Sequence, residues 1–173
     1  MPAETVPTTS TIWSSSRTDT PSLRLLHFND VYNVSESSSE PIGGISRFVT
    51  VAKSYRDASA NASDTHVPKL LTLFSGDAYN PSLESSVTKG RHMVSVLNTI
   101  GTDIACVGNH DLDFGVKQFR HLRESCRFPW LLANVLDPAL GEDEPLANCK
   151  KTAILTSSTG VKIGFIGLGE REW

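Results

Sequence analysis

The stretch Val107-Gly108-Asn109-His110-Asp111-Leu112-Asp113-Phe114-Gly115 organises the reading of this chain. An apolar run, Ile104 to Val107, leads into it, and Gly108 then permits a sharp turn because it has no Cβ to clash. A neutral amide, an imidazole and two carboxylates follow. Asn109 offers a carbonyl oxygen, and His110 offers a nitrogen that titrates near neutral pH. Asp113 lies three residues beyond His110, so a turn or helix starting here lets its carboxylate reach back and hold the ring. An apolar strand emptying into a polar cluster at its C-terminal end is where open α/β sheets place their ligands. A plainer reading is a tight loop whose Asn and Asp cap a helix.

Two further stretches repeat the pattern. Leu23 to Phe28 is a short apolar run that empties into Asn29-Asp30-Val31-Tyr32-Asn33. Val67 to Phe74 is nearly all apolar, as a strand covered on both faces should be, and empties into Ser75-Gly76-Asp77-Ala78-Tyr79-Asn80. Between these runs lie helical spacings. Ile45, Phe48, Val49 and Ala52 predict a helix ending near Arg56, with a polar loop over 58–65. Met93, Val94, Val96, Leu97 and Ile100 predict a second over 91–100, stopped by Gly101. A third is expected over 116–126, with Phe119 and Leu122 inward. A fourth strand is expected over 130–136, a polar loop over 137–150, and a final hairpin around Ser157-Ser158-Thr159-Gly160 with 161–168 as its second arm. Alternating strands and helices imply a largely parallel sheet with right-handed crossovers, and the hairpin adds an antiparallel part.

In a parallel sheet, Asp30, Asp77 and Asn109 share one edge, and His110 joins them. Two carboxylates brought together repel unless a cation lies between them. An Asp/Asn/His set suits Mn²⁺, Zn²⁺, Fe or Mg²⁺ better than a soft cluster metal. Two such ions about 3.5–4 Å apart, bridged by a carboxylate, form the usual clamp for phosphoester hydrolysis.

Composition excludes several other classes. With 39% hydrophobic and 20% charged residues among 173, the chain is neither disordered throughout nor membrane-spanning, and no run approaches ~20 apolar residues. A net charge of −3, without a basic patch carrying interleaved aromatics, gives nucleic-acid binding no support. Residues 1–21 are read as a disordered Ser/Thr-rich tail: ten of the first 20 are Ser or Thr. The domain proper is then 22–173. Cys106, Cys126 and Cys149 match no zinc spacing and are read as reduced thiols of an intracellular, cytoplasmic protein. The sequons at Asn33 and Asn61 are read as chance matches, because no signal-peptide pattern precedes them.

The blocks Leu26-His27-Phe28-Asn29-Asp30, Gly43-Gly44-Ile45-Ser46-Arg47, Ser75-Gly76-Asp77 and Gly108 to Gly115 resemble, in order, the 5′-nucleotidase branch of the calcineurin-like metallophosphoesterases. The resemblance implies the N-terminal half of a four-layer α/β/β/α sandwich with a mixed, mostly parallel sheet and a site for two divalent metal ions. It implies that Asp30 ligates the first metal, Asp77 bridges both and Asn109 ligates the second. His110, oriented by Asp113, would contact the phosphate and assist the leaving group, and Arg47 would be a supporting residue. The implied substrate is a small phosphate monoester, a nucleotide above all. Alternatives are a cyclic nucleotide or other diester, or a non-catalytic binding protein of the same fold.

Two positions depart from the family. Its first block carries Asp-x-His, where this chain has Asp30-Val31-Tyr32, and a tyrosine hydroxyl with a pKa near ~10 is a poor ligand for a divalent ion. The family takes further histidines from downstream, and no histidine follows His121 here. The missing C-terminal part of its own chain is therefore the expected partner, and these residues alone are expected to be weakly active or inactive.

Overall fold

The computed structural model describes residues 19, 21–39, 42–60 and 67–171. The tail assignment falls almost wholly outside them. Four parallel strands form the sheet, in the order β1-β2-β3-β4: β1 (Arg24–Phe28), β2 (Leu70–Phe74), β3 (Ile104–Cys106) and β4 (Trp130–Leu131). In register, Phe28 lies beside Phe74, Phe74 beside Ala105, and Ala105 beside Trp130. The connections carry α1 (Ile45–Ala60), α2 (Leu83–Thr88) with α3 (Arg91–Ile100), and α4 (Val116–Glu124). Right-handed crossovers between sequential neighbours put all of these helices on one face, and α1 packs on α3 and α3 on α4. The last element is an antiparallel hairpin, β5 (Thr152–Thr156) and β6 (Lys162–Ile166). This is the mixed, mostly parallel α/β architecture expected from the sequence.

The core forms where the helices meet the sheet. Trp130 is 1% exposed and is ringed by Phe74, Tyr79, Phe119 and Phe128 at centroid distances of 6.0, 5.6, 5.3 and 5.9 Å. The helical spacing of α3 buries Met93, Leu97 and Ile100 completely. Arg56 on α1 donates to the carbonyls of Ile100 and Gly101 at 2.8 and 3.0 Å, covering orphan acceptors at the end of α3. The cysteines are all free thiols. Burial pushes that of Cys149 up to about 12. Among the described residues no helix is long and apolar enough to cross a membrane.

Four expected boundaries need correction. The first helix continues to Ala60, past the end expected near Arg56, and takes in the first residues of the loop expected over 58–65. β2 begins at Leu70 rather than Val67: Pro68 has no N–H for the ladder, and the Lys69 amide is taken by Ser158 Oγ at 2.8 Å. The fourth strand stops at Leu131 instead of Leu136 because its partners change. Leu132 N donates to Lys150 O and Ala133 N to Gly167 O, so the chain leaves β3 for the hairpin's ends. The loop expected over 137–150 contains a 3₁₀ turn, Leu146–Asn148, with Ala147 fully buried.

Candidate functional site

Each of β1, β2 and β3 ends in a loop that crosses the same edge of the sheet. Asp30 and Asp77, at φ 55° and 66°, both adopt the left-handed region that Asp tolerates better than most residues. The two loops continue the pairing of their strands: Asp30 N donates to Gly76 O at 3.1 Å and Val31 N to Asp77 O at 3.0 Å. The third loop interlocks with the second. A Cβ at Gly76 would lie 2.4 Å from Gly108 N, and one at Gly108 would lie 2.2 Å from Asp77 Oδ1. Only glycines at both positions let the two backbones meet. From there Asn109–Leu112 turns as a 3₁₀ helix, the local conformation that carries Asp113 back to His110.

Asp111 holds this junction together. It is 2% exposed, and its carboxylate accepts four backbone N–H groups. Those of Asp77 and Gly108 reach Oδ2, each at 2.9 Å; those of Ala78 and Tyr79 reach Oδ1, at 2.9 and 3.2 Å. Burial pushes its pKa up to about 6, and the four donors only partly counter that. Sequence reasoning counted this carboxylate without giving it a role. The available signal was its place three residues after Gly108, where a carboxylate reaches back to the amide that opens the turn.

The candidate side chains meet in one hydrogen-bonded cluster. Tyr32 Oη donates to Asp30 Oδ1 at 2.5 Å and reaches Asp77 Oδ2 at 3.4 Å. Asn29 Nδ2 donates to the other Asp30 oxygen. His110 N donates to Asp77 Oδ1 at 2.8 Å, and the His110 ring stands edge-on to Tyr32 with centroids 5.8 Å apart. His110 Nδ1 pairs with Asp113 Oδ2 at 2.8 Å, and Asn80 Nδ2 donates to that same oxygen at 2.6 Å. The Asp113 bond is the main reason the His110 pKa is raised. For Asp113, burial acts upward, but the bonds from Asn80 and His110 outweigh it and hold the carboxyl below its ordinary range. Tyr32 is moved further above its ordinary value by burial first, then by Asp30 and Asp77. Asn109 lines a cavity of about 880 Å³ together with Asp113, Asn134 and Arg171. Arg47 lines a second, of about 560 Å³, with Asp30, Tyr32, Gly43 and Gly44. The structure thus brings Asp30, Asp77, His110 and Asp113 into one cluster, with Asn109 beside it. It adds Tyr32, Asn29, Asn80 and Asp111.

The two carboxylates and the Asn109 amide are hard-to-borderline donors of the kind that suits a divalent cation, and the protonated Tyr32 phenol is not one of them. Among the described residues, no group of three His, Cys, Asp or Glu side chains is placed to hold a metal. The Tyr32 hydroxyl already stands between Asp30 and Asp77.

Known proteins of the same build make the comparison concrete. No family model matches the chain. A bovine 5′-nucleotidase is 32% identical over 124 residues, which is 65% of this chain and 20% of that protein. The solved NAD nucleotidase of Haemophilus influenzae superposes with a TM-score of 0.67 at 25% identity, covering 86% of this chain and 26% of that one. This chain matches the N-terminal part of the 5′-nucleotidase branch of the calcineurin-like metallophosphoesterases. A calcineurin-like phosphoesterase of Bacillus subtilis, 20% identical with a TM-score of 0.63, shares the fold over 87% of this chain and 49% of its own. The chain spans about a quarter or less of the length of these curated relatives. Its strands and helices are accordingly those of the N-terminal half of the metallophosphoesterase sandwich.

Proposed function

We propose that this chain is part of a metal-dependent phosphoesterase that hydrolyses phosphate monoesters, with nucleotides as substrates. The observation that carries the reading is the cluster itself. Three strand-end loops deliver two carboxylates and a carboxylate-held histidine to one edge of a parallel sheet, next to an open cavity. Relatives named as nucleotidases, at about 30% identity, favour a nucleotide over other monoesters.

Asp30, Asp77 and the Asn109 carbonyl would hold divalent metal: Mn, Zn, Fe or Mg. Bound metal supplies a water acidified toward neutral pH and positive charge for the phosphoryl oxygens. The chain's own residues do the rest. Asp113 binds His110 Nδ1, which leaves Nε2 free to face the ester oxygen. With its pKa raised by Asp113, the imidazole keeps its proton to a higher pH than a free histidine and donates it to the departing alkoxide. Asn80 fixes Asp113, so the ring's aim is set before substrate arrives.

The test is a pair of substitutions in the full-length protein. His110→Ala should lower turnover on a nucleoside monophosphate while bound metal is retained. Asp77→Ala should remove metal and activity together. The assigned roles fail if His110→Ala strips the metal and Asp77→Ala does not. A non-catalytic binding role is the second reading, and Tyr32 between the two carboxylates is what favours it. Retained metal without turnover of any monoester, cyclic nucleotide or diester would select it.

A further inference from the structure

Hydrogen bonds, more than packing, hold His110 and Asp113 together. Their side chains are 36% and 34% exposed, so the carboxylate has open rotamers to turn into. One oxygen of Asp113 meets both of its partners: Oδ2 takes His110 Nδ1 at 2.8 Å and the Asn80 amide nitrogen at 2.6 Å. The other end of that amide is tied down as well. Ser85 Oγ lies 2.8 Å from Asn80 Oδ1 and 2.8 Å from Ser82 O. A hydroxyl has one proton to give. Ser82 O already accepts from Ser86 N at 3.2 Å and from Ser86 Oγ at 3.1 Å, which leaves the Ser85 proton for Asn80. Turned over, the Asn80 amide would put its oxygen against the Asp113 carboxylate, so one orientation satisfies both ends. Ser85 is 1% exposed and is fixed at the start of α2, where its Oγ accepts from Ser82 N at 2.8 Å and its N–H donates to Ser82 Oγ at 3.0 Å. That cap needs an oxygen at position 85 but not the proton which that oxygen gives to Asn80. The contacts therefore run unbroken from a buried helix turn to an exposed ring.

We propose that Ser85 is a positioning residue, which acts on His110 through Asn80 and Asp113. This rests on the role given to His110 above and deepens it. No proton travels along the line. Ser85 holds the Asn80 amide, the amide holds Asp113 Oδ2, and Asp113 keeps the proton of the neutral ring on Nδ1. Without Ser85 the Asn80 oxygen loses its donor and the amide is free to swing into solvent, releasing Asp113 to other rotamers.

The test uses the full-length protein and two readouts. The first compares turnover of a nucleoside monophosphate, whose alkoxide needs a proton to leave, with that of p-nitrophenyl phosphate, whose phenolate leaves without one. Ser85→Ala should lower the ratio of the two turnovers roughly tenfold, with KM for the nucleotide within about twofold. Asn80→Ala should do the same, and it keeps the cap of α2, so it stands even if Ser85→Ala fails to fold. The double variant should lose no more than either alone, because both act along one line. The second readout is nuclear magnetic resonance of the ring nitrogens of His110 in chelator, at a pH where the ring is neutral, assigned by their loss in His110→Ala. The parent should carry its proton on Nδ1, and both variants should shift toward the Nε2 form. An unchanged tautomer in Asn80→Ala or in a folded Ser85→Ala would overturn the proposal. So would losses that multiply in the double variant, or an unchanged turnover ratio where His110→Ala lowers it. If His110→Ala itself leaves the ratio unchanged, the role given to His110 falls, and the tautomer alone decides whether Ser85 positions the ring.

Discussion

Replacing Asp111 by asparagine should unfold the centre of this molecule more readily than any change at the rim of the site. The carboxylate accepts two N–H groups on each oxygen: Ala78 and Tyr79 on one, Asp77 and Gly108 on the other. An amide of the same shape keeps one oxygen and turns an NH₂ toward the other pair. Two buried N–H groups lose their acceptor and face a donor. Each orphaned group costs about 1–3 kcal/mol, or about 2–6 kcal/mol for the pair. Removing a buried charge offsets part of this, so we expect a net loss of about 2 kcal/mol at pH 7. That is a large share of a domain stability of about 5–15 kcal/mol. The pH dependence gives a second check. Asp111 has a folded-state pKa of about 6, above its ordinary 3.8, so its stabilising contribution is full below about pH 4 and lost as pH rises through 6. The asparagine variant lacks that term, and the gap between parent and variant should widen as pH falls from 7 to 5. Urea unfolding followed by circular dichroism, in chelator at both pH values, measures it. Equal urea midpoints, or a gap that narrows on acidification, would refute the reasoning.

Other expectations follow from the same contacts. Gly108→Ala places a methyl 2.2 Å from Asp77 Oδ1, so it should cost about 1–3 kcal/mol and weaken Mn²⁺ binding as Asp77 is displaced; unchanged Mn²⁺ affinity would contradict the loop packing. Trp130→Ala empties the centre of a ring of four aromatics and should cost about 3–5 kcal/mol in urea unfolding, with no cost beyond about 1 kcal/mol counting against that core. Asn134→Ala removes a reciprocal pair of hydrogen bonds with Gly169, at 2.7 and 2.8 Å. Amide exchange in 168–170 should rise while that of α3 stays the same.

The parallel sheet and the sharing of one edge by Asp30, Asp77 and Asn109 were legible because three apolar runs each end in polar residues. Period alone located α3, whose buried residues recur at 93, 97 and 100. The end of β4 was not legible, because residues 132–136 are as apolar as a strand and the acceptors that take the Leu132 and Ala133 amides, Lys150 and Gly167, lie far along the chain on either side of the hairpin. Tyr32 could be recognised as a departure from a histidine ligand, but its hold on Asp30 and Asp77 depends on two strands being neighbours. Asp111 was hidden for a related reason. Three of its four donors lie on Asp77, Ala78 and Tyr79, more than 30 residues earlier. Residues whose work is to join two loops leave no local pattern.

The most direct measurement is an anomalous difference map from crystals of the full-length protein soaked in Mn²⁺. A peak about 2.0–2.3 Å from a carboxylate oxygen of Asp77 and from the Asn109 carbonyl is predicted, with the His110 ring beside it rather than bound to it. No peak at the ends of β2 and β3, or a peak bound to His110 while Asp77 and Asn109 stay free, would contradict the claim that these strand ends form a metal-assisted phosphoesterase site.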